Sequence, residues 1–162
     1  MERLYEGSRF HICGAFGTTA DVHTLAGVNQ GDITSPLLWN LIINALLRYV
    51  HGARQGYRHE SGTMTSMLCY INDAVLLSDS AQGFRNMVYR MNRFYKWAGL
   101  RVNNAKCAIF AHDFASGQKL CTQHVRVNDK PLPTLPLHGS YRYLGVEFSL
   151  GGSWALEKAR VR

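Results

Sequence analysis

The sequence predicts an α+β fold: an antiparallel sheet with two amphipathic helices packed on one face. Three observations carry this. Two segments repeat apolar residues at helical spacing, 35–51 and 84–98. Short runs around them alternate apolar and polar residues and are punctuated by Asn, Asp and Gly. Hydrophobic residues make up 46% of the 162, enough for the packed core of one domain. The order of the runs is of the split βαβ kind.

Residues 9–26 alternate loosely. Phe10, Ile12, Phe16 and Val22 are the apolar members, and Gly14 and Gly17 interrupt them, which predicts a short hairpin. Gly27-Val-Asn-Gln-Gly31-Asp32 follows as a tight polar turn. Ser35-Pro36 predicts a helix start, a hydroxyl N-cap followed by proline at the first helical position. That helix runs to about His51 and stops near Gly52. Asn40, Asn44 and Arg48 form one polar stripe, while Leu37, Leu38, Leu41, Ile42, Ala45 and Leu46 face elsewhere. It is expected to be buried over most of its circumference.

Met64 to Tyr70 and Ala74 to Ser78 are strand-like. Ile71-Asn72-Asp73 lies between them, predicting a β-hairpin with Asn-Asp at its tip. In 84–98, Phe84, Met87, Val88, Met91, Phe94, Tyr95 and Ala98 form the inner face, and Gly99 supplies the stop. Arg85, Arg90, Arg93 and Lys96 mostly occupy the other side, and a solvated outer face is preferred for them over a nucleic-acid footprint. Leu100–Val102 and Lys106–Phe110 suggest a strand entered through an Asn103-Asn104 turn. Val125–Val127 and Tyr141–Phe148 suggest two more. Pro131, Pro133 and Pro136 mark a short loop.

Composition narrows the function classes. The formal net charge is +7, from 18 Lys+Arg against 11 Asp+Glu, a balance that fits a polyanionic partner without requiring one. Cys13, Cys69, Cys107 and Cys121 have neither metal-finger spacing nor a disulfide framework, and are read as reduced thiols with no disulfide partner. The seven histidines are scattered and read as surface or packing residues. No apolar stretch reaches the ~18 residues of a membrane span, and the first residues do not read as a signal peptide. The expectation is an intracellular chain, nuclear or cytoplasmic, with no membrane partner.

Residue types alone place one feature of chemical interest. The Tyr70-Ile71-Asn72-Asp73 tip holds a carboxylate on a rigid turn. A lone Asn-Asp turn is common and has no specificity by itself. The order of segments around it resembles the reverse transcriptase family, of the kind encoded by non-LTR retrotransposons. Gln30-Gly31-Asp32-Ile33-Thr34-Ser35-Pro36-Leu37-Leu38 is similar to that family's QG-x-x-x-SPLL segment. Tyr70-Ile71-Asn72-Asp73 sits where the family carries its Tyr/Phe-x-Asp-Asp box. Gly99 to Cys107 resembles the following motif with its lysine, Lys106. Tyr141-Arg142-Tyr143-Leu144-Gly145-Val146 resembles the Tyr-Leu-Gly strand that ends the palm. The four motifs stand in the family's order over about Tyr5 to Phe148.

The resemblance implies a polymerase palm over 1–150, incomplete at its N-terminus, and the start of a truncated thumb or connection over 151–162. It implies nucleotidyl transfer with two Mg²⁺ ions about 4 Å apart, an RNA template, a DNA primer or nascent strand, and dNTP. Asp73 would be a metal ligand. Tyr70, Gln30 and Gly31 would lie by the nucleotide and template, and Gly31 reads equally as no more than the turn into the helix. Lys106 would lie near the triphosphate, or is a solvated loop lysine.

Two departures accompany the matches. Asn72 stands where the family's box has its chief metal-ligating aspartate, and an amide oxygen carries no charge. Asp79 cannot replace it, being six residues of ~3.3 Å each from Asp73, about 20 Å. The matched region also begins after the strand that bears another essential aspartate. The expectation is a fragment inactive alone. The alternatives are a non-catalytic nucleic-acid-binding module, or an active enzyme represented by an incomplete gene model. Without that strand a neighbouring strand presents unpaired N–H and C=O groups and part of the helix layer lacks its apolar partner. The chain expressed alone is therefore expected to be marginally stable or aggregation-prone by circular dichroism and thermal melting. A sharp, reversible, high-temperature transition contradicts that.

Overall fold

The computed structural model describes residues 9–11, 13–23, 32–113, 118, 120, 122 and 125–151. Ile12, the turn residues before Asp32 (Gln30 and Gly31 among them), Cys121 and the segment 152–162 lie outside the described residues. The chain divides into two compact units, Met1–Ile43 and Asn44–Arg162.

The first unit opens with β1 (Arg9–Phe10), β2 (Cys13–Gly14), β3 (Gly17–Thr18) and β4 (Val22–His23). β1 pairs antiparallel with β4, and β2 with β3, so the expected hairpin is present. Arg9 reaches Asp21 across it at 3.2 Å.

Helix α1 spans Ser35–His51, and its start differs by one residue from the expectation. The Leu38 N–H donates to the Thr34 carbonyl at 3.1 Å. The Thr34 N–H and hydroxyl both donate to Asp32 Oδ1 at 2.9 Å. Thr34 is therefore the capping position, with the Asp32 carboxylate in front of it. Ser35 is the first helical residue, and its buried hydroxyl has no hydrogen-bond partner among the described residues. A second correction concerns burial. The Asn40, Asn44 and Arg48 stripe is exposed as expected, but Leu37 and Leu41 are 63% and 59% exposed. Full burial begins at Leu46 and Val50. A helix buries its apolar stripe only along the length that other elements cover.

The second unit starts with β5 (Tyr57–Arg58) and β6 (Met64–Thr65), then β7 (Met67–Tyr70) and β8 (Asp73–Leu76), each pair an antiparallel hairpin. Backbone bonds from Tyr57 N–H to the Leu77 carbonyl (3.2 Å) and from Leu77 N–H to the Ser66 carbonyl (3.0 Å) tie the two hairpins together. Helix α2 is Ala81–Ala98 and begins three residues before the sequence periodicity suggests. Ser80 causes this: its hydroxyl accepts the Gly83 N–H at 3.1 Å. Gly99, at φ 69°, ends the helix, and the Leu100 N–H then donates to the Tyr95 carbonyl at 2.8 Å. Met87, Val88, Met91 and Phe94 are buried, as the periodicity predicts. With Leu46, Val50, Met67, Ile109, Val125 and Val127 they make the core of this unit.

Beyond α2 come a short 3-10 helix, Asn104–Lys106, then β9 (Ile109–Phe110), β10 (Arg126–Val127), β11 (Lys130–Pro131), β12 (Thr134–Leu135), β13 (Ser140–Tyr143) and β14 (Val146–Ser149). β10 pairs with β11 and β13 with β14, both antiparallel, while β9 and β12 run parallel. Asn92 of α2 donates to the Arg126 carbonyl at 2.7 Å. Asn104 donates to that of Val127 at 2.6 Å.

The α+β class stands, but the single antiparallel sheet does not. The described residues form seven two-stranded ladders, one of them parallel. The ladders are two to four residues long, and prolines at 131, 133 and 136 have no N–H with which to extend them. Tyr141–Phe148 is a hairpin rather than one strand. Leu144 and Gly145, at φ 50° and 86°, turn it as a type I′ loop. Leu100–Val102 is irregular, and Lys106 ends the 3-10 helix, so only Ile109–Phe110 of that predicted strand is extended.

Gly56 is the tightest point of the paired hairpins. A Cβ there would stand 2.5 Å from both the Thr65 carbonyl oxygen and Ser66 Oγ. Since backbone cannot yield cheaply, Gly56→Ala is expected to destabilise the chain by about 1–3 kcal/mol. Urea unfolding measures this, and an unchanged midpoint contradicts it.

Candidate functional site at the hairpin tip

The β7–β8 ladder pairs Met67 with Leu76, Leu68 with Val75, Cys69 with Ala74 and Tyr70 with Asp73. The loop is thus Ile71-Asn72 alone, and Asp73 is the first residue of β8 rather than part of the loop. Positive φ falls on Ile71, at 53°, and not on Asn72. This is the pattern of a type II′ turn, whose first position favours glycine. A β-branched residue there is strained, by on the order of 1–3 kcal/mol. Register puts Tyr70 and Asp73 on one face, with Leu68 and Val75, and Met67 and Cys69 on the other. Met67 is buried and Cys69 half-buried, so this second face meets the core. Tyr70, Asn72 and Asp73 are all exposed.

Electrostatic coupling shows what surrounds the tip. Burial raises the Tyr143 phenol above its ordinary pKa, and the negative charge of Asp73, then that of Cys69, raises it further. Tyr141 is raised by burial first, then by Cys107 and Asp73. Both rings of β13 therefore stand close enough to Asp73 to sense its charge. The Tyr141 hydroxyl also donates to the Lys106 carbonyl, which ties the 3-10 helix to the same strand. Beneath lies Tyr95 of α2, pushed up to about 12 by burial and then by Cys69 and Cys107. Burial raises both of those thiols, and the Cys107 thiol donates to the Asn103 carbonyl at 3.2 Å.

Of the residues expected at the site, the structure brings Tyr70, Asn72 and Asp73 together. It links Lys106 to them through Tyr141, with the lysine itself exposed. Gln30 and Gly31 lie outside the described residues. Tyr141 and Tyr143 were recognised as part of a motif but not as site residues. Their i, i+2 spacing on a strand, which points both rings to one side, is the signal that could have found them.

A divalent ion needs several oxygen donors, most of them charged. Among the described residues no group of three or more His, Cys, Asp or Glu could hold a metal ion. The Asn72 amide is neutral, which leaves the Asp73 carboxylate. These donors do not fit a pair of divalent ions. What the arrangement can offer is one carboxylate acceptor beside a wall of neutral phenols, suited to packing against a sugar or base.

A family model described as reverse transcriptase (RNA-dependent DNA polymerase) matches residues 7–148. The Pol polyprotein of the type-2 retrotransposable element R2DM of Drosophila melanogaster, described as retrovirus-related, is 28% identical over 159 residues, 94% of this chain and 14% of that protein. A retrovirus-related Pol polyprotein of a type-1 retrotransposable element R2 of Popillia japonica is 27% identical over 143 residues, 83% of this chain and 23% of that protein. The chain thus spans less than a quarter of the length of either relative.

The Tyr95 environment predicts alkaline sensitivity. A tyrosine whose folded pKa is about 12 instead of 10.0 holds its proton more tightly when folded. That contribution is complete below pH 10 and is lost as pH rises to about 12. Urea unfolding between these values should show a steeper loss of stability for the parent chain than for Tyr95→Phe. Parallel pH dependences contradict it.

Proposed function

The chain belongs to the reverse transcriptase family of non-LTR retrotransposon Pol proteins, and from that premise we propose that it is a palm segment whose metal site has been weakened by Asn72. Reverse transcriptases bind a nucleic-acid template and primer and use divalent metal ions. The RNA template, the DNA primer and dNTP are the partners proposed for the whole protein. Tyr70, Lys106 and the Tyr141–Tyr143 wall are the nucleotide-facing groups, and Asp73 is the remaining acidic ligand.

The observation that carries the reading is the hairpin tip. Its geometry is that of a two-residue turn with Tyr70 and Asp73 paired across it, yet its first loop-side ligand position is an amide. Replacing a carboxylate by its neutral isostere keeps the shape and removes one unit of charge. Near a surface one unit charge at 4 Å is worth roughly 4 kcal/mol at an effective dielectric of 20, of the order of the binding energy of a millimolar ligand. The role left to this chain's own residues is to bind and orient nucleic acid. Its formal charge of +7 supports that role.

Two measurements test the reading together. Mn²⁺ titration followed by electron paramagnetic resonance should show binding no tighter than the millimolar range for the parent chain. It should be at least about tenfold tighter for Asn72→Asp, from the added charge. Primer extension on an RNA template with Mg²⁺ or Mn²⁺ should give no product with the parent chain. Clear extension by the unmodified chain overturns the reading.

A further inference from the structure

Helix α2 carries Arg85, Arg90, Arg93 and Lys96 and has no acidic residue. Arg85, Tyr89, Arg93 and Trp97 follow one another at four-residue spacing, so arginine and aromatic alternate along one slowly winding stripe. Tyr89 and Trp97 are 62% and 78% exposed. Trp97 also packs its ring 5.4 Å from that of Phe94.

The cations lie on the solvent-facing side, as expected, with Arg93 and Lys96 exposed, and two of the arginines are oriented by neighbouring groups. Arg90 Nη1 donates to the Tyr49 carbonyl at 2.9 Å, and its guanidinium lies 5.1 Å from the centre of the Tyr49 ring. The Tyr49 carbonyl belongs to the last turn of α1, where a cation is favoured. The Arg93 guanidinium lies 5.8 Å from the centre of the Tyr89 ring. Between these pairs is an open groove of about 280 Å³ whose lining includes Tyr49, Gln55, Asn86, Tyr89, Arg90 and Arg93. Gln55 Oε1, at its edge, is buried with no donor among the described residues.

This surface is separate from the hairpin tip. Tyr95, which senses Cys69 and Cys107, marks the side of α2 that meets the hairpin. Arg93 and Trp97 are two residues from it, about 160° round the helix.

We propose that this face of α2, together with Tyr49 and Gln55, binds a single-stranded polynucleotide outside the hairpin site. Bases stack on Tyr89 and Trp97, and phosphates meet Arg93 and Arg90. An unpaired strand is required because only unstacked bases present free faces to the rings. An acidic protein would satisfy the cations but would leave the rings without purpose.

The test uses the full 162-residue chain and a fluorescein-labelled oligouridine of about twelve nucleotides, within the range of single-strand site sizes. Fluorescence anisotropy follows binding across a salt series. Tyr89→Ala should weaken binding about tenfold, as loss of one stacked base does, while Tyr89→Phe keeps it. Arg93→Gln should reduce the slope of log K against log salt by about 0.7, one phosphate contact to a single strand. Circular dichroism spectra of the variants matching the parent establish that the fold is kept. The proposal is overturned if the parent chain does not bind, if Tyr89→Ala binds as the parent does, or if polyglutamate competes as well as oligouridine. Should Lys106→Gln abolish binding while Tyr89→Ala leaves it intact, the strand sits at the hairpin. The α2 proposal then fails and the reading of the tip stands.

Discussion

Two divalent cations held about 4 Å apart repel one another, and only anionic oxygen around them offsets that repulsion. This constraint organises the account of the molecule. The hairpin tip is a two-residue loop with an acid and an aromatic paired across it. It lacks the charge. Asn72 matches the shape of an aspartate and contributes only an amide oxygen. Shape without charge is poorly suited to gripping divalent metal.

The tip is held from behind. Cys69 on the inner face of β7 and Cys107 after the 3-10 helix both act on Tyr95 of α2, so hairpin, helix and 3-10 turn converge on one phenol. Tyr141 closes the arrangement from β13 by donating to the Lys106 carbonyl. Helix α2 thus has two distinct sides, one that supports the hairpin and one that displays arginines and aromatics to solvent.

Helix α2 and the tip hairpin were legible in the sequence because their signals are local. A 3.6-residue apolar period and a closing glycine act within a few residues of where they stand, whereas the Ser80 cap went unread and α2 begins three residues earlier, and the turn is Ile71-Asn72 rather than Asn-Asp. The start of α1 was missed by one residue because Thr34 and Ser35 are both good caps, and the Asp32 carboxylate selects the first. Ladder partners were not legible. The parallel pairing of Ile109–Phe110 with Thr134–Leu135 joins segments 25 residues apart, and no residue in either announces the other. The exposure of Leu37 and Leu41 likewise depends on what covers them, not on the helix itself. At the site, Asp73 and Asn72 were found from type and order. That Tyr141 and Tyr143 sense the charge of Asp73 required knowing that β13 lies beside the tip.

The most direct examination of the central claim is anomalous diffraction from crystals of this chain soaked in Mn²⁺. The account predicts no pair of ordered ions at the tip, and at most one weakly occupied ion on Asp73. Two well-occupied ions at about 4 Å spacing, coordinated by Asp73 beside Asn72, would contradict it.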